Sequence, residues 1–153
     1  MRGEMPFARQ PSAAIGGQPD DVEAAFYDAL QAGDIERLMA CWADEDDICC
    51  VHPAGPRLLG ATAIRAAFET LFAAGTLRIS PQRVHRVAGL ACAVHSVLER
   101  VEIDAAEGPR VAYVIATNVY LKTAQGWRLV AHHASPATAA ELQDIMPSPA
   151  VLH

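Results

Sequence analysis

GDIERLMACWADEDDICCVHPAGPRLLG, residues 33–60, reads as a short helix opening at Asp34, an acidic loop, a buried strand and a sharp break at Pro53-Ala54-Gly55-Pro56. The unbroken apolar run from Ile48 to Val51 has the length of a strand and implies burial on both faces. Pro53 denies its predecessor the helical region, so His52 closes that strand with its ring held out at a rigid corner. An imidazole there is the first candidate for chemistry, because an ordinary pKa of about 6.5 lets it exchange protons at neutral pH.

The chain on either side supplies the layers. Upstream, Pro19-Asp20-Asp21 opens a helix in which Asp20 caps and Glu23 completes a D-x-x-E capping box. Val22, Ala25, Phe26, Ala29 and Leu30 fall on one face, and Gly33 stops it. Asp34 caps the second, short helix, whose apolar side is Ile35, Leu38, Met39 and Trp42. Downstream, Gly60 precedes a third helix with Ile64, Ala67, Phe68, Leu71 and Phe72 at helical period until Gly75.

From Thr76 the period changes to two. Leu77 to Val87, Ala91 to Ile103, Val111 to Lys122 and Trp127 to Ser135 are four candidate strands, the last three joined by short Gly-containing connectors as antiparallel hairpins require. Helices followed by a run of strands give an α+β class, with a curved antiparallel sheet wrapped around the N-terminal block of three helices and a small-molecule pocket between the layers. Residues 1–18 lack periodicity and are expected to form a flexible arm, residues 19–137 the domain, and residues 138–153 a tail with a helical turn or two from Ala139 to Met146.

Composition narrows the function. The 153 residues are 52% hydrophobic and 20% charged, which suits one folded domain rather than a disordered chain. A net charge of −6 with 12 scattered Lys and Arg argues against nucleic acid. No apolar run is long enough for a membrane span, and the N-terminus has no signal-like core, so a cytoplasmic protein is expected. Cys41, Cys49, Cys50 and Cys92 follow no disulfide or metal spacing and read as reduced thiols.

Three patterns carry a family resemblance: Ala32-Gly33-Asp34-Ile35, then His52-Pro53-Ala54-Gly55 followed by Gly60 and Ile64, then Gly126-Trp127-Arg128 leading to His133-Ala134-Ser135. With them the chain from Val22 to about Pro136 resembles the nuclear transport factor 2-like superfamily, which includes ketosteroid isomerases, SnoaL-like cyclases, scytalone dehydratase and the association domain of calcium/calmodulin-dependent kinase II. The resemblance implies a cone-shaped cystatin-like fold with a deep cavity and a homodimer formed by the outer face of the sheet. Ketosteroid isomerases place an aspartate base in a D-P-x-G corner, and His52 occupies that position here. Their oxyanion donors correspond to Phe26, with Tyr27 beside it, and to Asn118 or, with a slip of one, Thr117.

The resemblance thus implies an isomerase, dehydratase or cyclase with His52 as general base and Asn118 as hydrogen-bond donor. Phe26, Tyr27, Trp42, Phe68, Tyr120, His133 and Ser135 would line the site around a small apolar or weakly acidic ligand, with no cofactor. His133 and Ser135 match the pattern of the kinase association domain, and the sequence leaves open which of His132 and His133 faces inward. No metal is expected: the acidic run Asp44 to Asp47 lacks the alternate spacing of a calcium loop, and a zinc set of Cys50, His52, His95 and His133 has no local ligand spacing behind it. A non-catalytic ligand-binding protein and an oligomerisation domain remain as alternatives, since this fold hosts all three.

The outer face of the sheet is also legible. From Val111 to Leu121 neither set of alternating side chains is charged beyond the strand ends, and Ala91 to Leu98 behaves likewise. A face meeting water would alternate with polar residues, so twofold pairing through the sheet is expected.

Overall fold

Gly33 separates the first two helices in the left-handed conformation (φ 66°), a geometry that glycine adopts without steric cost. The computed structural model describes residues 16–75, 77–140 and 142. Most of the expected arm and tail lie outside the described residues; of the C-terminal turn, Leu142 N–H bonds to the Thr138 carbonyl at 3.1 Å. Helix α1 spans Pro19–Ala32, α2 Ile35–Ala40 and α3 Ala61–Ala74. The strands are β1 Cys49–Val51, β2 Arg57–Leu59, β3 Leu77–Ala88, β4 Cys92–Ala105, β5 Gly108–Thr123 and β6 Gly126–Pro136.

The caps separate the two helix starts. At α2, the Asp34 carboxylate accepts from Arg37 N–H at 3.1 Å, as its sequence position predicts. At α1 the cap residue is Gln18, with Pro19 in the first turn and no side-chain cap bond. Asp20 is therefore one step inside the helix, and Glu23 is no capping-box partner. It turns inward instead, and the buried stripe of α1 includes Val22, Glu23, Phe26, Tyr27, Ala29 and Leu30.

The six strands form one sheet in the order β2-β1-β6-β5-β4-β3. All pairs are antiparallel except β1 with β6, where Cys50 sits opposite His132 in parallel register. The short strand β2 is a departure from the sequence reading, which passed from the Pro-Gly break directly to α3. Its three residues pair with β1, too few for an alternation pattern to register.

Two bulges bend the sheet. Gln82 is extra in β3 between Pro81 and Arg83. In β6, Val119 pairs with Ala131 while Tyr120 pairs with Leu129, which leaves Val130 as the extra residue. A bulge adds one residue to one strand and increases local twist. It also reverses which residues face inward beyond it.

The helices fill the concave side. The main core joins Val22, Phe26, Leu38, Trp42, Ile64 and Phe68 from the helical layer to Val97, Tyr120 and Leu129 from the sheet. A smaller cluster of Val101, Val114, Ala116 and Ala134 lies at the other end of the long strands.

Candidate active site

His52 owes its position to a tight turn. Gly55 N–H bonds to the His52 carbonyl at 2.8 Å, with Pro53 next and Ala54 in the left-handed region at φ 62°. This is the pattern of a type II turn, which sets Pro second and wants glycine third. Alanine in that place stores backbone strain at the corner that carries the histidine. The ring of His52 packs edge-on against Phe68, centroids 4.9 Å apart, and its Nε2 lies 3.5 Å from Cys50 Sγ. Burial lowers the His52 pKa below 6.5, so the imidazole is neutral at pH 7. Cys50 is pushed up to about 12 by burial first, so its sulfur is a thiol and no nucleophile.

His52 borders a cavity of about 360 Å³, within the size range of small-molecule sites. Its walls are carbon over most of their extent, with Leu30 from α1, Phe68 and Leu71 from α3, Ile79 from β3 and Val101 and Val114 from the sheet. Among the described residues, the titratable side chains on the lining are His52, Glu99 and His132, and no Lys or Arg lines it.

A continuous hydrogen-bonded chain across three strands and a helix joins Glu99 and His132 on the lining through Tyr27 and Asn118 behind it. Asn118 Nδ2 donates to Tyr27 Oη at 3.1 Å, and Tyr27 O–H donates to Glu99 Oε2 at 2.6 Å. Asn118 Oδ1 lies 2.6 Å from His132 Nδ1. An amide oxygen only accepts, so His132 carries its proton on Nδ1 and presents a lone pair at Nε2. Burial first, then the nearby His52 and His133, pushes His132 down to about 3, so it stays neutral. Burial lifts the Glu99 carboxyl to about 7, against the opposing pull of the Tyr27 hydrogen bond. Tyr27 is raised above 10, by burial first and then by Glu99.

Only part of the expected site lines the cavity. His52 and Phe68 do so. Asn118 is fully buried and off the lining, its amide nitrogen donating to Tyr27 and its oxygen accepting from His132, so it does not meet a ligand in the cavity. Tyr27 is likewise occupied by Glu99 and Asn118. Phe26 packs edge-on against Tyr27, Trp42 and Phe68. Trp42 is core, with a bridge to Leu129 and an Nε1 that has no partner among the described residues. Tyr120 is core as well, its hydroxyl 3.4 Å from Glu23 Oε1.

His133 and Ser135 are corrected outright. Both lie exposed on the outer face, while His132 and Ala134 are buried and line the cavity. Strict alternation from Trp127 and Leu129 selects His133; the extra residue Val130 shifts the parity by one and selects His132 instead. Glu99 was missed for a different reason. On β4 it alternates inward with Ala93, His95, Val97 and Val101, so a carboxylate within an apolar set was the available signal.

A second polar cluster sits away from the cavity. His95 Nδ1 lies 2.7 Å from Glu23 Oε1, and Arg86 Nε donates to Asp20 at 2.8 Å. Oxygen and nitrogen atoms of Asp20, Glu23 and His95 fall within 4.8 Å of one another. The Arg86 guanidinium, 2.8 Å from Asp20 and 4.0 Å from Glu23, already supplies the positive charge there. His95 is committed to this cluster and His133 to the outer face, so the four residues of the conceivable zinc set do not come together.

The cone of sheet around helices finds its counterpart among known families. The SnoaL-like domain matches residues 20–139. The chain belongs to the SnoaL-like domain family. Within the wider nuclear transport factor 2-like superfamily, this SnoaL-like domain is 37% identical to a proposed calcium/calmodulin-dependent protein kinase type II association domain from Thiobacillus denitrificans. The match covers 80% of this chain and 97% of that one, with a TM-score of 0.71. It is 30% identical to a proposed dehydratase of the NTF2-like family from Streptomyces avermitilis, over 80% and 95% of the two chains, at a TM-score of 0.70. A calcium/calmodulin-dependent kinase II hub from S. rosetta, 21% identical over 78% and 94% of the two chains at a TM-score of 0.64, shares the fold. No curated protein matches the sequence. Among the described residues no helix is long and apolar enough to cross a membrane.

Proposed function

We propose that this SnoaL-like domain is a small-molecule enzyme of the isomerase or lyase type, with His52 as general base. The carrying observation is the neutral imidazole of His52 on the wall of an apolar cavity, fixed by its turn and by the edge of Phe68. A base held this way is positioned for proton transfer, to which such groups contribute about 10²–10⁴-fold. The similarity to a proposed dehydratase supports the same class of reaction, removal of a proton beside a carbonyl group. All four cysteines are free, which suits a reducing, cytoplasmic setting.

The test is deuterium exchange at the α-carbon of small cyclic ketones such as cyclohexanone in D₂O, followed by proton NMR. Exchange faster than in buffer is expected, and His52→Ala should abolish the acceleration while the circular dichroism spectrum is unchanged. Equal exchange by the variant would sink His52 as the base.

A non-catalytic assembly role has one observation in its favour. Val94, Ser96, Ile115, Thr117 and Val119 form an uncharged patch on the outer face of β4 and β5, with the paired Arg100 and Glu102 further along β4, and similar proteins include kinase association and hub domains. Twofold pairing through this face is compatible with catalysis, because the cavity lies on the other, concave side of the sheet, between it and the helices.

A further inference from the structure

The polar end of the cavity is unusual in what it lacks. Glu99 uses Oε2 to accept from Tyr27, and its Oε1 has no hydrogen-bond partner among the described residues. His132 spends its one proton on Asn118, which leaves Nε2 as a second acceptor. His52 alone among the lining side chains keeps a choice of tautomer. Among the described residues the remaining lining is hydrocarbon and contains no Lys or Arg. A buried carboxylate normally has a cation or several donors beside it; Glu99, 4% exposed, has one neutral phenol.

We infer that the cavity takes a small apolar molecule bearing a protonated amine, its ammonium group held against the free carboxylate oxygen of Glu99. This rests on reading the cavity as a ligand site and names the class of ligand. An ammonium brings three donors and no acceptor, the complement of a wall built from acceptors, while its alkyl part meets Leu30, Phe68, Leu71 and Ile79. It also supplies the missing counter-charge. A carboxylate ligand would bury a second anion beside Glu99, with no cation to pair either one, so the weakly acidic ligand expected from sequence is disfavoured.

The groups facing Glu99 set the pH dependence. Tyr27 from α1 is a neutral donor, Cys50 and His52 from the β1 end are an un-ionised thiol and a neutral imidazole, and His132 from β6 is neutral. The cavity-facing side chains of α3 and β3 are hydrocarbon. Burial lifts the Glu99 carboxyl to about 7, and only its ionised form attracts an ammonium. Affinity for an amine therefore falls about 100-fold from pH 8 to pH 5. Protonation of His52 at the acid end acts in the same direction.

Isothermal titration calorimetry of the full chain with cyclohexylamine, cyclohexanol and cyclohexanecarboxylate at pH 8 tests this directly. The amine should bind at least tenfold more tightly than the other two, weaken toward pH 5 as above, and lose its advantage in Glu99→Gln. If the alcohol or the carboxylate binds as tightly as the amine, or the preference survives in Glu99→Gln, the inference is overturned and the cavity stands as a site for another ligand class. If none of the three binds, the inference and the cavity's role as a ligand site fall together. The wild-type pH profile decides the matter alone should the variant fail to fold.

Discussion

Replacing Glu99 with glutamine exposes the electrostatic cost of the cavity. Burial lifts the Glu99 carboxyl from 4.5 to about 7, so between those values the folded chain holds a proton that the unfolded chain has released. Stability due to this group is therefore present at low pH and lost as pH rises through the window. At about 1.4 kcal/mol per pKa unit the full loss is about 3 kcal/mol, most of it between pH 5 and pH 8. His132 works the other way. Its pKa is pushed from 6.5 to about 3, so the unfolded ring takes up a proton that the folded ring refuses, and stability falls as pH drops below 6.5. The two slopes nearly cancel between pH 4.5 and 6.5, and a wild-type curve alone hides both.

The difference between wild type and Glu99→Gln isolates the carboxyl. Glutamine keeps the shape, and its amide oxygen still accepts from Tyr27. In urea unfolding from pH 5 to pH 8, the variant's stability relative to wild type should rise by about 2–3 kcal/mol across the range. The variant alone should also show the climb with pH that His132 contributes. Parallel curves for the two proteins would refute the burial argument for Glu99.

Other consequences follow from single contacts. Gly126 has φ 105°, and a Cβ there would lie 2.7 Å from the Gly16 carbonyl oxygen, so Gly126→Ala should cost about 1–3 kcal/mol in backbone strain alone, read by thermal unfolding. Asn118→Leu removes the acceptor of His132 and the donor to Tyr27 at once, and each buried group left unpaired costs about 1–3 kcal/mol; a variant as stable as wild type would dissolve the proposed chain. For the outer face, Tyr113 lies opposite Arg100 in register, which would neutralise a new carboxylate, so Ile115→Glu is the better probe. Sedimentation equilibrium should give about twice the 16.3 kDa chain mass for wild type and a single chain mass for Ile115→Glu, whereas a wild-type monomer would rule out the pairing.

Legibility in the sequence followed the strength of local signals. The helices were readable because Gly33, Asp34, Gly60 and Gly75 punctuate them, and the long strands because their period and connectors are regular. His52 was readable because proline fixes its backbone. His132 was not: its facing depends on Val130, and nothing in a run of Arg128-Leu129-Val130-Ala131 marks which residue is extra. Asn118 was placed correctly in the interior, yet its role changed, because the sequence cannot show that His132 and Tyr27 occupy both ends of its amide. Glu23 shows the same limit. Its spacing from Asp20 fits a capping box, and only the packing of β4 reveals His95 as its partner.

The claim that function resides in the His52, Glu99 and His132 cavity is tested most directly by imidazole ¹H–¹⁵N NMR. Spectra are recorded with and without a saturating small-molecule binder. His52 and His132 should shift with the binder, while His85, His95 and His133, which lie on other surfaces or in the second polar cluster, should stay in place. A binder that moves His95 or His133 and leaves His52 and His132 unmoved would contradict the account.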